Sequence, residues 1–139
     1  MDRMSADLGA LLRRLLDEIV ERETPILRER GLSMWEYVVL TAIASSPGLS
    51  QSDLAERSRR DATRLIRHLD DLAERGLIVR AVDAGDRRRR TVELSPAGVE
   101  LLAATRRDIR RMEDALLSAL PEHDRDALRT SLEAVTRAE

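Results

Sequence analysis

The chain has 139 residues, of which 42% are hydrophobic and 36% charged, and its net charge is −2. This length and composition favour one globular domain over a disordered chain or two separate domains. Because the sequence contains no cysteine, disulfides, thiolate metal sites and cysteine redox sensing are excluded. Trp35 and Tyr37 are the only aromatic residues, so we expect a core of aliphatic side chains in packed helices.

Several classes of function lack the residues that they need. No signal peptide and no apolar run of membrane-spanning length is present, so we expect a soluble, cytoplasmic protein without membrane contact. The two histidines, His68 and His123, stand far apart with no metal-ligand spacing around them. A glycine-rich phosphate loop is also missing. We therefore predict no metal, no cofactor and no enzymatic activity.

Positive charge is concentrated in the middle of the chain. Residues 57–90 contain eleven arginines and six acids, whereas the remaining positions contain thirteen arginines and twenty acids. A basic centre between acidic ends predicts a local nucleic-acid-binding surface. Arginine supplies every one of these cations, and its side chain suits bidentate contacts with phosphate and guanine.

Apolar stripes predict helices at both ends of the chain. Leucine, isoleucine and valine recur at helical spacing between Leu8 and Val20, and Pro25 is expected to kink or end this helix. A long helix is predicted after the N-cap residue Ser95, and a last helix after Pro121. A small central unit cannot bury these outer stripes alone, so we expect a second copy to cover them in a two-fold dimer.

Capping patterns predict three helices in the centre of the chain. Ser33 with Glu36 and Ser50 with Asp53 each form a capping-box signature, and Asp61 is the best N-cap for a third helix. The second and third helices, joined by a turn of about three residues, form a helix-turn-helix pattern. The third helix is expected to bury four apolar residues, namely Leu65, Ile66, Leu69 and Leu72.

The apolar period then changes from that of a helix to that of a strand. Residues 77–82 and 91–94 are predicted to pair as two strands, and residues 83–90 form a hairpin tip with turn residues first and four arginines after. The expected fold is therefore mainly α, with about six helices and a small two-stranded β-hairpin wing. Together these elements make a winged helix-turn-helix within a two-fold dimer.

The stretch from Leu32 to Leu102 resembles the MarR family of bacterial regulators in the order and spacing of its landmarks. The segments that carry the likeness are 32–40, 49–56, 67–78 and 86–98. The resemblance implies one continuous domain with a DNA-binding lobe over 32–94 and dimerisation helices over 1–31 and 95–139. The chain carries more wing arginines than the family pattern, and it departs from that pattern at Ser58, Arg60, His68 and Asp71.

By this resemblance, the start of the third helix enters the major groove of DNA. The residues placed there are Asp61, Ala62, Thr63 and Arg64. Thr63 and Arg64 are the best candidates to read bases, since arginine can bind guanine through two hydrogen bonds. Arg67, one turn further, is placed to meet a phosphate or to brace the wing. The alternative for this surface is a solvated helix face.

Two further groups of residues are placed against the DNA. Gln51 and Ser52, in the first turn of the preceding helix, are candidates for phosphate contact or for local capping. In the wing, Arg88 resembles the family arginine that enters the minor groove. Asp86 resembles the acid that fixes the wing through an arginine, although an ordinary turn aspartate is the alternative. The remaining wing cations are expected to neutralise phosphates: Arg87, Arg89 and Arg90.

Trp35 and Tyr37 lie in the helix that, by resemblance, lines a cleft where family members bind small aromatic or phenolic anions. For Tyr37 a core position is favoured over the cleft, and for Trp35 a dimer surface is the alternative. This pair is the candidate site for a small-molecule effector.

Two functions are compatible with these patterns. The first is a homodimeric transcriptional regulator, preferentially a repressor, that binds double-stranded DNA at a pseudo-palindrome and is relieved by a small ligand. The second is a winged-helix module that binds a protein partner without specific DNA binding, as the acidic net charge would favour. Steeply salt-dependent DNA binding would distinguish the first from the second.

Overall fold

The computed structural model describes residues 5–58 and 62–137, within which six helices and one two-stranded sheet follow one another. In chain order these are α1 (Leu8–Glu29), α2 (Met34–Ser45), α3 (Gln51–Ser58), α4 (Ala62–Glu74), β1 (Ile78–Val82), β2 (Arg90–Leu94), α5 (Pro96–Leu116) and α6 (Glu122–Thr136). The predicted mainly α fold with a hairpin wing is confirmed. Two compact units are formed, a central unit over 24–106 and a terminal unit made of the segments on either side.

Aliphatic side chains from the helices and the sheet form the core of the central unit. Leu40 of α2, Leu54 of α3 and Val92 of β2 are each at most 1% exposed. α4 adds three buried leucines at i, i+4 and i+7 spacing: Leu65, Leu69 and Leu72. The prediction that Ile66 also faces inward is wrong, since this side chain is 46% exposed. Ile66 follows Leu65 directly, and each residue along an α-helix is rotated by about 100° from the one before, so the Ile66 side chain points away from the buried face.

Helices α2 and α3 begin at the capping residues that the sequence patterns predict. The Ser33 hydroxyl accepts a hydrogen bond from the Glu36 backbone N–H at 3.1 Å, and the Glu36 carboxylate accepts one from the Ser33 N–H at 3.0 Å. At the start of α3, the Ser50 hydroxyl accepts a hydrogen bond from the Asp53 N–H at 3.0 Å. These bonds satisfy amide groups that have no partner within their own helix.

Pro25 lies inside α1, so of the two outcomes predicted for it, a kink or an end, the helix does not end there. The turn after Pro25 carries Leu27, which is 1% exposed, and its burial offsets the one backbone hydrogen bond that proline removes. The chain turns instead at Gly31, whose φ of 72° is left-handed. There the Gly31 N–H donates to the Arg28 carbonyl at 3.0 Å, and the Leu32 N–H donates to the Leu27 carbonyl at 2.9 Å.

The wing is fixed to the start of α3 by backbone hydrogen bonding. β1 and β2 pair in antiparallel register from Ile78 opposite Leu94 at one end of the sheet. Beyond this pairing, the Val92 N–H donates to the Leu49 carbonyl at 2.9 Å, and Ser50 forms a bridge with Thr91. The segment that leads into α3 therefore acts as a short third partner of the sheet.

In the terminal unit, an arginine and a set of leucines join α6 to the end of α5. Arg129 forms ion pairs with Glu113 at 3.4 Å and with Asp114 at 3.2 Å. A cavity of about 90 Å³ remains beside them, lined mainly by leucines.

Along α1, apolar side chains remain exposed at Leu8, Leu11, Leu12, Leu16 and Val20. None of the described helices combines the length and apolar character that crossing a membrane requires.

The variant Glu23→Gln is expected to be more stable than the parent chain at neutral pH. The Glu23 side chain is 8% exposed, and this burial, with a smaller effect of the nearby Glu113 carboxylate, raises its pKa above the usual 4.5. The folded chain therefore holds this proton more tightly than the unfolded chain. Glu23 loses its favourable contribution to folding as pH rises above the unfolded pKa.

Thermal unfolding between pH 4 and pH 8 measures this effect. The Tm of Glu23→Gln should exceed that of the parent chain at pH 7, and the difference should shrink towards zero at pH 4. Glu21→Gln, an exposed position on the same helix, is the matched control. A Tm difference that does not change with pH would contradict the raised pKa.

Candidate nucleic-acid interface

The exposed side of α4 carries three of the predicted DNA-binding residues. Thr63, Arg64 and Arg67 are exposed, whereas Leu65 between them is buried. Their positions fall within an arc of about 100° on the helix, so the three side chains share one solvent-facing surface. Ala62 is the first residue of α4. Asp61, also predicted at this surface, lies outside the described residues.

Arg75, immediately after α4, ties this helix to the start of α2. Its guanidinium donates to the Glu36 carboxylate at 2.8 Å and to the Gly31 carbonyl at 2.7 Å. Glu36 is only 9% exposed and also closes the capping box of α2, so the arginine meets a carboxylate that is already fixed. Asp71, a departure from the family pattern, lies 3.6 Å from the same guanidinium. This role of Arg75 was not predicted, and its signal in the sequence is a cation directly after the end of a helix.

A second link holds α4 against the wing. Arg80 of β1 donates to the Asp70 carboxylate at 2.6 Å. The hydrogen bonds at the end of α4 complete this connection, since the Gly76 N–H donates to the Ala73 carbonyl and the Leu77 N–H to the Leu72 carbonyl, each at 3.0 Å. Because these contacts hold the C-terminal end of α4, the orientation of its exposed face relative to the wing is fixed.

The two candidate residues in the first turn of α3 differ in exposure. Ser52 is exposed and available to a phosphate, whereas Gln51 is half-buried. The side-chain oxygen of Gln51 is buried and has no hydrogen-bond partner among the described residues. Local capping in this turn is performed by Ser50, so neither Gln51 nor Ser52 is needed for it.

The tip of the wing is a structured turn. The Asp83 carboxylate accepts a hydrogen bond from the Gly85 N–H at 2.9 Å, and the Asp86 carboxylate accepts one from the Arg88 N–H at 3.0 Å. The Arg89 N–H donates to the Asp86 carbonyl at 2.9 Å. Asp86 therefore shapes the turn in the manner of an ordinary turn aspartate, and no ion pair joins it to an arginine within the described residues.

The four consecutive wing arginines fall into two groups. Arg89 lies 3.2 Å from the Asp53 carboxylate and 3.7 Å from the Asp83 carboxylate. The other three are exposed, with no acidic partner in the described part of the chain, and we call them the unpaired wing arginines: Arg87, Arg88 and Arg90. Like charges at adjacent exposed positions repel each other, so an anionic ligand such as DNA would relieve this repulsion.

Asp53, predicted only as part of a capping box, also pairs with Arg89 of the wing. Its pKa is lowered first by the hydrogen bond to the Ser50 hydroxyl, then by the one to the Ser50 backbone N–H, and last by the charges of Arg89 and Arg57. Asp53 therefore stays ionised down to acidic pH and remains available to pair with the wing. No local pattern indicates this pairing, because Asp53 and Arg89 come together only in the folded chain.

Trp35 and Tyr37, the candidate effector site, are both half-buried. The ring of Trp35 meets that of His68 edge-on, with 6.0 Å between the centroids. A groove of about 520 Å³ lies elsewhere in the central unit, between α2, β2 and α5, and neither aromatic residue lines it. Among the described residues, no group of three or more histidines and acids is placed to hold a metal ion.

Comparisons with known proteins agree with this architecture. A model of the MarR family matches residues 30–89. A protein of Thauera aromatica, named as a proposed transcriptional regulator for the hcr operon, is 32% identical over 126 residues, which cover 90% of this chain and 76% of that protein. The chain belongs to the MarR family.

Solved structures of MarR-family proteins share its fold. The complex of Staphylococcus aureus MepR with DNA is 25% identical, with a TM-score of 0.70 over 94% of this chain and 97% of that one. The apo form of MarR from Escherichia coli is 19% identical, with a TM-score of 0.79 over 96% of this chain and 99% of that one. The predicted winged helix-turn-helix fold is thereby confirmed.

Proposed function

We propose that this MarR-family chain is a homodimeric, sequence-specific DNA-binding regulator that represses transcription from a pseudo-palindromic operator. The observation that carries the proposal is the exposed cationic surface of the central unit. The unpaired wing arginines and the exposed face of α4 belong to one compact unit, tied together by backbone hydrogen bonds and ion pairs. The DNA complex of MepR and the regulatory name of the Thauera relative support the same reading.

Within this proposal, the two cationic elements have different tasks. Thr63 and Arg64 would read base edges in the major groove, and Arg67 would meet a phosphate. Arg88 would enter the adjacent minor groove, where a narrow groove concentrates negative potential. Ser52 would add a phosphate contact from the first turn of α3. Base contacts supply the specificity, and the wing supplies most of the affinity.

The exposed leucines of α1 support a homodimer. Leu8, Leu16 and Leu11 are 70%, 57% and 48% exposed, and a second copy would bury this stripe. Two-fold symmetry in the protein would then be matched by two-fold symmetry in the operator. Relief of repression by a small aromatic or anionic ligand at Trp35 and Tyr37 is supported only by the family resemblance.

Selection from a library of random DNA duplexes tests the proposal. After several rounds at about physiological salt, the full-length protein should enrich an inverted repeat whose half-site centres lie about one helical turn, roughly 10 base pairs, apart. Arg64→Ala should relax the base preference within each half-site, and Arg110→Ala, an exposed position on α5, should leave it unchanged. Failure to enrich any sequence would overturn the proposal and favour a module that binds a protein partner.

A further inference from the structure

Arg89 is held by three different segments of the central unit. Its Nη2 atom donates to the Asp53 carboxylate of α3 at 3.2 Å and lies 3.4 Å from the Gly48 carbonyl in the turn before α3. Its Nε atom lies 3.7 Å from the Asp83 carboxylate on the opposite arm of the wing. A backbone hydrogen bond joins the two arms of the wing at the same position, since the Asp83 N–H donates to the Arg89 carbonyl at 2.8 Å.

The partner on α3 is itself firmly placed. Asp53 lies in the first helical turn, where its N–H is bound by the Ser50 hydroxyl. The residues that precede it are joined to β2, because the Val92 N–H donates to the Leu49 carbonyl. Asp53 therefore offers a carboxylate at a defined position, and the wing tip reaches that carboxylate through a single arginine.

We propose that Asp53 and Arg89 form a latch that positions the wing for DNA, while Arg87, Arg88 and Arg90 bind the DNA. Arg89 is then a positioning residue, in contrast to the phosphate contact that the sequence predicted. The latch would hold the hairpin tip in its bound conformation before DNA arrives, which lowers the entropic cost of ordering it on binding. This inference rests on the proposed DNA-binding function.

The dependence of operator affinity on salt separates a positioning arginine from one that binds phosphate. Each phosphate neutralised by the protein contributes about 0.9 to the slope of log K against log salt concentration. Measured by fluorescence anisotropy on the selected duplex, Arg87→Ala should therefore flatten the slope by about 0.9. Arg89→Ala should weaken binding severalfold and leave the slope unchanged.

Asp53→Asn gives a change in the opposite direction. Without the carboxylate, Arg89 is released to reach a phosphate, so the slope should steepen by about 0.9. The double variant Asp53→Asn with Arg89→Ala should return the slope to the parent value. Equal flattening by Arg89→Ala and Arg87→Ala would overturn the latch and make Arg89 an ordinary phosphate contact.

Amide hydrogen exchange on the free, full-length protein tests the latch without DNA. Asp53→Asn should accelerate exchange across residues 83–90, whereas Glu56→Gln, an exposed change of an acid to its amide on the same helix, should not. Unchanged exchange in Asp53→Asn would overturn the latch, whatever the protein binds. If the parent chain shows no salt-dependent DNA binding, the proposed function fails instead, and the exchange result still decides whether the latch exists.

Discussion

Replacing Gly98 by alanine is expected to lower the free energy of unfolding by about 3 kcal/mol, which corresponds to a fall in Tm on the order of 10 °C. Gly98 lies in the first turn of α5, against the backbone of Leu77. A Cβ atom at this position would lie 2.0 Å from the Leu77 carbonyl oxygen and 3.0 Å from its carbonyl carbon. Backbone atoms cannot rotate away as a side chain can, so the alanine must push α5 and the sheet apart.

The position of this clash makes it costly. The Leu77 carbonyl accepts a hydrogen bond from the Ser95 N–H at 3.0 Å, and the Ser95 hydroxyl in turn accepts one from the Gly98 N–H at 3.0 Å. The same hydroxyl donates to the Gly76 carbonyl at 2.6 Å. A shift of α5 would therefore weaken several buried hydrogen bonds as well as the packing around them.

Thermal unfolding of Gly98→Ala and Gly9→Ala measures the effect with a matched control. Gly9 also lies in the first turn of a helix, and a Cβ there meets nothing within 4 Å. Gly9→Ala should leave Tm unchanged or raise it slightly, because alanine has the higher helix propensity. Similar Tm values for the two variants would show that the close approach to Leu77 does not constrain the fold.

Replacing Arg88 by alanine is expected to weaken operator binding by about 2 kcal/mol, or roughly thirtyfold. Arg88 follows Asp86 in the wing turn, and its backbone N–H is bound by the Asp86 carboxylate. This bond fixes the backbone and leaves the guanidinium exposed, with no acid among the described residues to compete for it. The change should therefore remove a DNA contact without disturbing the turn.

Anisotropy titrations across a range of salt concentrations test this prediction. For Arg88→Ala the slope of log K against log salt should flatten by about 0.9, since one fewer cation displaces counterions from the DNA. Arg110→Ala removes the same charge from an exposed position on α5 and should leave the slope unchanged. Equal losses for the two variants would mean that only net charge matters, which would contradict a specific role of the wing.

Elements determined by local chemistry could be predicted from the sequence. The capping boxes at Ser33 and Ser50 act over three residues, so the starts of α2 and α3 follow from the sequence alone. The change of apolar period located the strands of the wing in the same way. The continuation of α1 past Pro25 and the exposure of Ile66 are decided by tertiary packing, since burial of the turn after Pro25 and the orientation of α4 are not local properties.

The candidate site could be predicted only in part, for the same reason. Residue type and position identified an exposed, basic wing and the exposed face of α4. Asp53 distinguishes the paired Arg89 from the unpaired wing arginines, and the ion pair of Arg75 with Glu36 holds the end of α4 against the start of α2. Both pairs join residues that are far apart in the sequence, so periodicity and spacing carry no signal for them.

The most direct test of DNA recognition by this chain is the titration of the full-length protein with the selected duplex and with a scrambled duplex of equal composition. We expect the selected duplex to bind at least about 10³-fold more tightly at physiological salt. We also expect log K to fall linearly and steeply as log salt concentration rises. Equal affinity for both duplexes, or binding that does not respond to salt, would contradict specific DNA recognition.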